Sequence, residues 1–163
     1  MIIVTGLPRS GTSLCMQMLE AGGVAVLVDH PMRIDDGNPR GYYELDAVMH
    51  GVDWIEAAQG KAVKVVSDYL GMLPPGLDAK FIVMRRDIRE IATSRHATFE
   101  DVIQHMDRMS ERLAGRHCLG VSYYSLFLDP APVIARIDEF LGGGLDQAAM
   151  ARVIDPALYR NKA

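Results

Sequence analysis

The sequence lacks the features that mark several large classes of protein. Its two cysteines, Cys15 and Cys118, are too few for a disulfide framework and do not have metal-site spacing. No apolar run approaches the roughly 18 residues needed to cross a membrane. Aromatic residues make up 7%, and the net charge is −4, with no basic run typical of nucleic-acid binding. These absences predict a protein of a reducing compartment with no transmembrane segment and no nucleic-acid partner.

The remaining composition is that of an ordinary globular domain. Of the 163 residues, 49% are hydrophobic and 23% are charged, with no internal repeat or low-complexity segment. The apolar run at the N-terminus is only a few residues long and leads directly into a glycine-bounded loop, so it predicts a strand and not a signal peptide. We therefore expect one domain over residues 1–163 and a cytoplasmic location.

Short apolar runs alternate with helical patterns along the chain. The apolar runs predict strands at residues 2–4, 24–28, 62–66, 80–84 and 118–123. Helical spacing, caps and glycine stops predict helices at residues 12–21, 99–113, 132–141 and 145–153, one after Asp87, and one from about 45 to 59. This order predicts an α/β fold, a parallel sheet with helices on both faces. Ligands of such sheets bind at the carboxyl ends of the strands.

The loop between the first strand and the first helix has the layout of a phosphate-binding loop. Gly6 and Gly11 have the spacing of the nucleoside-triphosphate loop G-x-x-x-x-G-K-[ST], and Ser13 stands where a Mg²⁺-binding hydroxyl would be. Thr12 occupies the lysine position, however, and the cation is Arg9, inside the loop. An arginine at mid-loop is suited to a nearby terminal anionic group.

Residues 8–12, Pro-Arg-Ser-Gly-Thr, resemble the 5′-phosphosulfate loop of the sulfotransferases, whose pattern is Pro-[Lys/Arg]-Ser-Gly-Thr. Those enzymes use 3′-phosphoadenosine 5′-phosphosulfate (PAPS) as co-substrate and need no metal. The resemblance implies a P-loop-type three-layer α/β fold and a transferase that moves a sulfuryl group to a hydroxyl or amine. It implies nucleotide binding by the loop and the helix start: Pro8, Arg9, Ser10, Gly11, Thr12 and Ser13.

A second strand-to-helix segment carries another part of the resemblance. In sulfotransferases the 3′-phosphate of the nucleotide is held by an arginine at a strand end and a serine eight positions later, the spacing of Arg86 and Ser94. A guanidinium can hold phosphate with two hydrogen bonds. Arg85 and Arg89 lie nearby, at a helix start where cations are unfavourable, so the group of three arginines predicts an anion.

Weaker segments in the family's order extend the resemblance over most of the chain. Residues 73–74 and 79–83 resemble the approach to the 3′-phosphate strand. Residues 124–126, 129–130 and 140–142 resemble a Tyr-Glu-x-Leu, Asp-Pro and Phe-Leu-Gly series, with Ser125 in place of the glutamate. The chain is markedly shorter than the cytosolic members. Arg160 is either part of a replacement for their C-terminal nucleotide clamp or a surface arginine.

Sulfuryl transfer requires cations near the moving group and a base for the acceptor proton. The resemblance gives the first role to Arg9 and to Lys64, which is similar to a lysine placed beside the sulfate. Those enzymes have a histidine base two residues after that lysine, whereas this chain has Val66.

Two carboxylates are the leading candidates for the missing base. Glu44 is the first, because residues 38–44 resemble a bacterial sulfotransferase segment and other branches of the superfamily use glutamate. Asp68, which follows a predicted strand, is the second, and His30 is the third.

Two other functions stay open at this point. One is a nucleotide kinase or other P-loop phosphotransferase, which Thr12 at the lysine position opposes. The other is a non-catalytic nucleotide-binding module of sulfotransferase fold, which the short chain and Val66 favour. The sequence specifies neither the acceptor, which is a small molecule, carbohydrate, lipid or peptide, nor the oligomeric state.

The position of Arg9 and the missing loop lysine lead to a test of nucleotide preference. We expect the protein to bind 3′-phosphoadenosine 5′-phosphate (PAP) in EDTA, and more tightly than ATP, because the loop lacks the lysine that reaches outer phosphates. Isothermal titration calorimetry measures both affinities. Tight binding of ATP–Mg²⁺ without any response to PAP would contradict the resemblance.

Overall fold

The structure is a computed structural model that describes residues 1–30, 32–35 and 38–159. Its parallel sheet has the strand order β2-β1-β3-β4, with β1 (Ile2–Gly6), β2 (Ala62–Lys64), β3 (Lys80–Arg85) and β4 (His117–Ser122). The helices in this part of the chain are α1 (Thr12–Ala21), α2 (Ala47–His50), α3 (Ile88–Arg95), α4 (Phe99–Leu113), α5 (Tyr123–Leu128), α6 (Pro130–Leu141) and α7 (Gln147–Arg152). None of the helices in these ranges is both long and apolar enough to span a membrane.

Successive strand residues face opposite sides of the sheet, and both sides are buried. Ile3 pairs in register with Phe81 and packs on one side, against α3, α4 and the segment from α2 to Trp54. Val4 pairs with Ile82 and packs on the other side, against α1, α5, α6 and α7. The predicted α/β fold with helices on both faces of a parallel sheet is therefore confirmed.

The strand order creates a switch point between β1 and β3. After β1 the chain continues to β2, which lies beside β1 at one edge of the sheet. After β3 it continues to β4, which lies beside β3 at the opposite edge. In open parallel sheets, the loops that follow two such strands separate and leave a crevice at their carboxyl ends. The two segments that carry the sulfotransferase resemblance follow these two strands.

Two predicted elements differ from the structure. Residues 24–28 make one bridge, Val26 with Ala62, because β2 is a three-residue strand and offers little length for pairing. The helix predicted over 45–59 is interrupted at Gly51, whose φ of +152° is a conformation that glycine adopts readily, so α2 is followed only by a 3₁₀ turn at Asp53–Ile55.

Helix α5 was not predicted. It begins directly after β4, and the Ser122 hydroxyl accepts a hydrogen bond from the backbone N–H of Ser125. Ser122 is a favourable cap, but the aromatic and apolar residues that follow it also fit the end of a strand. Helix α4, in contrast, has the predicted bounds, with a capping box between Thr98 and Asp101.

Candidate functional site

A cavity of about 670 Å³ lies at the carboxyl edge of the sheet. Its walls come from the loop after β1, the segments after β2 and β3, the start of α5, several residues between 29 and 49, and the C-terminal segment 153–158. Among the predicted site residues, those that line it are Pro8, Arg9, Gly11, Thr12, Ser13, Glu44, Lys64, Asp68 and Arg86. The structure thus brings together residues that are far apart in the sequence.

The loop after β1 has the backbone of an anion-binding turn. Arg9 has a φ of +75° and Gly11 a φ of +100°. Alternating left-handed residues of this kind turn successive N–H groups toward one point. Helix α1 begins at Thr12, and its N-cap residue, Gly11, has no side chain, so no side chain caps the first N–H groups of the helix. The loop and the helix start therefore offer several donors to one anion.

The Ser10 hydroxyl adds an observation that favours a ligand in this loop. Ser10 is only 1% exposed, and its Oγ has no hydrogen-bond partner among the described residues. A buried hydroxyl without a partner costs about 1–3 kcal/mol, so such groups are expected to meet a ligand or water. This donor stands in the Pro-Arg-Ser-Gly-Thr segment, between Arg9 and Gly11.

Arg9, Ser94 and Arg86 form one hydrogen-bonded group across the switch point. Arg9 Nε donates to Ser94 Oγ at 2.9 Å, and Arg86 Nη1 donates to the backbone carbonyl of Arg9 at 3.1 Å. The sequence suggested these three residues from two separate segments. Their contacts connect the loop after β1 to Arg86, directly after β3, and to Ser94, in the last turn of α3.

Arg86 lies in a buried electrostatic and aromatic environment. Its Nε donates to Glu90 Oε2 at 2.5 Å, and the two side chains are 8% and 6% exposed. Its guanidinium lies 4.6 Å from the centre of the Tyr123 ring and 5.6 Å from that of Tyr159. Tyr159 Oη donates to Glu90 Oε1 at 2.9 Å, and burial, with this carboxylate, raises the pKa of Tyr159 to about 12.

One of the two neighbouring arginines, Arg89, has an anionic partner within the protein. Arg89 Nη2 lies 2.6 Å from Asp87 Oδ2, and hydrogen bonds from Arg89 lower the pKa of Asp87 to about 2. Arg85 packs beside Gly120 of β4 and lines a separate cavity. The argument from three cations at a helix start was therefore wrong for Arg89, because the cap residue itself supplies the negative charge.

Lys64 is a buried cation at the other end of the cavity. Its side chain is 4% exposed, its Nζ donates to the Tyr42 carbonyl, and it lies 3.4 Å from Glu44 Oε1. The Ser13 hydroxyl donates to the same carbonyl at 3.0 Å. Burial lowers the pKa of Lys64, and the charge of Glu44 opposes that shift. A desolvated ammonium gains much from a nearby anion.

The two candidate bases have different partners. Glu44 contacts two cations, Lys64 and, at 3.9 Å, Arg33. Asp68 lines the cavity with a side chain that is 42% exposed, and its Oδ1 lies 2.5 Å from His105 Nε2. Sequence reasoning missed His105 because it lies on α4, and no spacing relates a helix residue to a loop this far away.

The remaining predicted residues lie elsewhere. His30 is exposed and does not belong to the cavity wall. Arg160 lies outside the described residues. Arg40 donates to the Val153 carbonyl at 2.5 Å and to Asp155 Oδ2 at 3.0 Å, so it attaches the segment before Glu44 to the C-terminal segment. Over residues 1–30, 32–35 and 38–159, no group of three or more potential metal ligands occurs.

Comparison with solved structures identifies the fold. A mouse sulfotransferase, SULT7A1, crystallised with PAP, matches over 93% of this chain with a TM-score of 0.56 and 17% identity. A retinol dehydratase in complex with androsterone and the inactive cofactor PAP matches over 93% with a TM-score of 0.54 and 19% identity. The chain spans 61% and 62% of the length of these two proteins.

Comparisons based on sequence give no match. No protein-family model matches the chain. The search of curated proteins also finds none that matches. The chain has the three-layer α/β fold of the sulfotransferases, and at these identities the likeness concerns the fold.

Gly11 lies so close to the first residue of α5, Tyr123, that the packing between them can be tested by mutation, with a second glycine as control. A Cβ atom at Gly11 would lie 2.3 Å from the Tyr123 ring, whereas Gly23, with a similar φ of +97°, has nothing within 4 Å. Both alanine substitutions have the conformational cost, about 1–2 kcal/mol. We expect Gly11→Ala to reduce the free energy of unfolding by a further ~1–3 kcal/mol through overpacking. Urea denaturation measures the difference, and equal losses would contradict this packing.

Proposed function

We propose that the protein is a PAPS-dependent sulfotransferase that transfers a sulfuryl group to a hydroxyl or amine acceptor. The single observation that carries the proposal is the group of Arg9, Ser94 and Arg86, joined by hydrogen bonds at the switch point. A nucleotide with phosphates at both its 5′ and 3′ positions needs anion donors at two separated points. Solved proteins of the same fold hold PAP.

In this proposal the loop binds the 5′-phosphosulfate. The loop supplies the backbone N–H groups of residues 11–13, the Ser10 hydroxyl and the Arg9 guanidinium, with Pro8 shaping the turn, and the N-terminus of α1 adds its dipole. Arg86 and Ser94 bind the 3′-phosphate. Because Arg86 already contacts Glu90, the phosphate has to compete with that carboxylate, and the planar fork of guanidinium allows it to contact both.

The chemical step moves the sulfuryl group from one oxygen to another nucleophile. The acceptor oxygen or nitrogen forms a bond to sulfur while the bond between sulfur and the 5′-phosphate oxygen breaks, which releases PAP. Alignment and charge stabilisation provide most of the catalysis in related phosphoryl transfers. Arg9 is suited to stabilise the departing oxygen and Lys64 the sulfuryl oxygens, because both cations line the cavity.

The acceptor also loses a proton, and Asp68 is suited to take it. Glu44 was the first candidate from the sequence, but its carboxylate contacts Lys64 and Arg33, and these cations compete with an acceptor for the same oxygens. Asp68 lines the cavity with a partly exposed carboxylate. We therefore propose that Glu44 orients Lys64 and that Asp68 is the general base.

A second candidate function is a non-catalytic nucleotide-binding module. The observation that favours it is Val66, which lies in the cavity wall where the resemblance places a histidine base and which cannot accept a proton. Such a module would bind PAP through the same loop and would transfer no sulfate to any acceptor.

Nucleotide recognition can be tested at Arg86 with a control for its ion pair. Removal of Arg86 alone leaves Glu90 buried without its cation, so the double variant Arg86→Ala/Glu90→Gln is compared with Glu90→Gln. We expect the loss of Arg86 to weaken PAP binding by roughly 1.5–3 kcal/mol, as for charge-assisted hydrogen bonds.

Adenosine 5′-phosphosulfate is the control ligand, since it lacks the 3′-phosphate. Its affinity should be nearly the same for the two variants when measured by calorimetry. Equal weakening of both ligands would place Arg86 near some other part of the nucleotide.

The function itself is tested by transfer of ³⁵S-sulfate from PAPS into a mixed pool of small hydroxyl and amine compounds, followed by mass spectrometry. We expect a labelled product, and a rate about 10²–10⁴-fold lower for Asp68→Asn because general-base catalysis is lost. Glu44→Gln should lose less, since glutamine still accepts a hydrogen bond from Lys64.

Each other outcome has a definite meaning. An inactive Glu44→Gln beside an active Asp68→Asn would make Glu44 the base. Full activity of both variants would mean that the acceptor needs no base. A wild-type protein that binds PAP but labels no acceptor would favour the binding module.

A further inference from the structure

A histidine on α4, His105, contacts Asp68 at the carboxyl edge of the sheet. His105 lies on α4, and its Nε2 is 2.5 Å from Asp68 Oδ1 and 3.0 Å from Ser67 Oγ. Ser67 and Asp68 begin the 3₁₀ segment Ser67–Met72, directly beyond β2. The His105 side chain is 13% exposed and does not belong to the cavity wall, whereas Asp68 does.

The contacts of His105 determine which ring nitrogen carries the proton. Arg95 Nη1 lies 3.1 Å from His105 Nδ1. A guanidinium can only donate hydrogen bonds, so Nδ1 must accept and the ring proton must be on Nε2. Nε2–H then faces two acceptors, Ser67 Oγ at 3.0 Å, with which it shares a hydrogen bond, and Asp68 Oδ1 at 2.5 Å, which carries the negative charge. The arrangement is an ordered series, Arg95 to His105 to Asp68.

We propose that His105, oriented by Arg95, is a positioning residue that fixes the Asp68 carboxylate at the cavity wall as the proton acceptor of the reaction. This inference rests on the sulfotransferase function proposed above. Val66, at the cavity wall, has no group that can exchange a proton. The His105 ring comes from α4 and acts through Asp68.

Three packed elements hold this series in place. Arg95 is the last residue of α3, His105 lies in the middle of α4, and Asp68 is in the segment after β2. The core residues Ile91, Val102 and Leu70, one from each element, belong to the same buried cluster. The carboxylate is therefore attached to a rigid part of the fold, which general-base catalysis requires.

A neutral histidine is a suitable partner for a carboxylate base. Its N–H orients one oxygen of Asp68 without placing a full positive charge beside the group that must accept the proton. In the reaction, the proton passes from the acceptor hydroxyl or amine to the Asp68 carboxylate and then to solvent, through its exposed side. His105 keeps its Nε2 proton throughout.

The test compares variants that keep or remove the donor. We expect His105→Leu to lower kcat by about 10²-fold, the cost of a misplaced catalytic group, with PAP affinity and the KM for PAPS unchanged. His105→Gln carries an amide N–H in place of Nε2–H and should recover most of the activity. His117→Leu is the control, because His117 begins β4 at the opposite edge of the sheet.

A double variant distinguishes action through Asp68 from a general structural effect. If His105 works only through that carboxylate, Asp68→Asn/His105→Leu should be no slower than Asp68→Asn alone. Additive losses, or a His105→Gln variant as slow as His105→Leu, would overturn the proposal. Calorimetric PAP binding shows that each variant is folded.

An NMR measurement determines the tautomer of His105 without depending on enzyme activity. Two-bond ¹H–¹⁵N correlation spectra of the wild-type protein should show His105 as the Nε2–H tautomer, and Arg95→Met should permit the other tautomer. A wild-type Nδ1–H ring would overturn the inference. A wild-type enzyme that transfers no sulfate would remove the proposed function and this role with it, whereas an active enzyme with unchanged His105→Leu kinetics would remove only this role.

Discussion

The parallel pairing of β1 with β3 is the constraint on which the site depends. Their register, from Ile2 with Lys80 to Gly6 with Met84, makes the two strands end at the same level. The loop after β1 and the turn after β3 then lie side by side, and Arg86 can donate to the carbonyl of Arg9. A shift of this register would separate the two cationic segments and remove the anion site.

The buried charges of the site are balanced before any ligand arrives. Arg86 contacts Glu90, and Lys64 contacts Glu44. Buried charges are costly unless they are paired, so these carboxylates stabilise the two buried cations. These pairs also restrict which ligands can bind to the cations. Only an anion can take the place of the carboxylate without leaving a buried positive charge unpaired.

The residues of the site come from helices on both faces of the sheet. Helix α1 contributes its N-terminus and α5 covers the loop with Tyr123, whose ring leaves no room for a side chain at Gly11. On the other face, α3 and α4 contribute Ser94 and His105, which contact Arg9 and Asp68 at the edge of the sheet. Both faces of the sheet are therefore needed for one cavity, which explains why the functional residues are scattered along the chain.

The sequence by itself determined the α/β class and the glycine-bounded loop between β1 and α1. These are local properties, since glycine, capping residues and apolar periodicity act over a few residues. Only the tertiary structure decided that Arg86 donates to the backbone carbonyl of Arg9, that Glu44 contacts Lys64, and that His105 contacts Asp68. Such contacts join residues from different elements, and their geometry depends on how helices pack on the sheet, which no local pattern encodes.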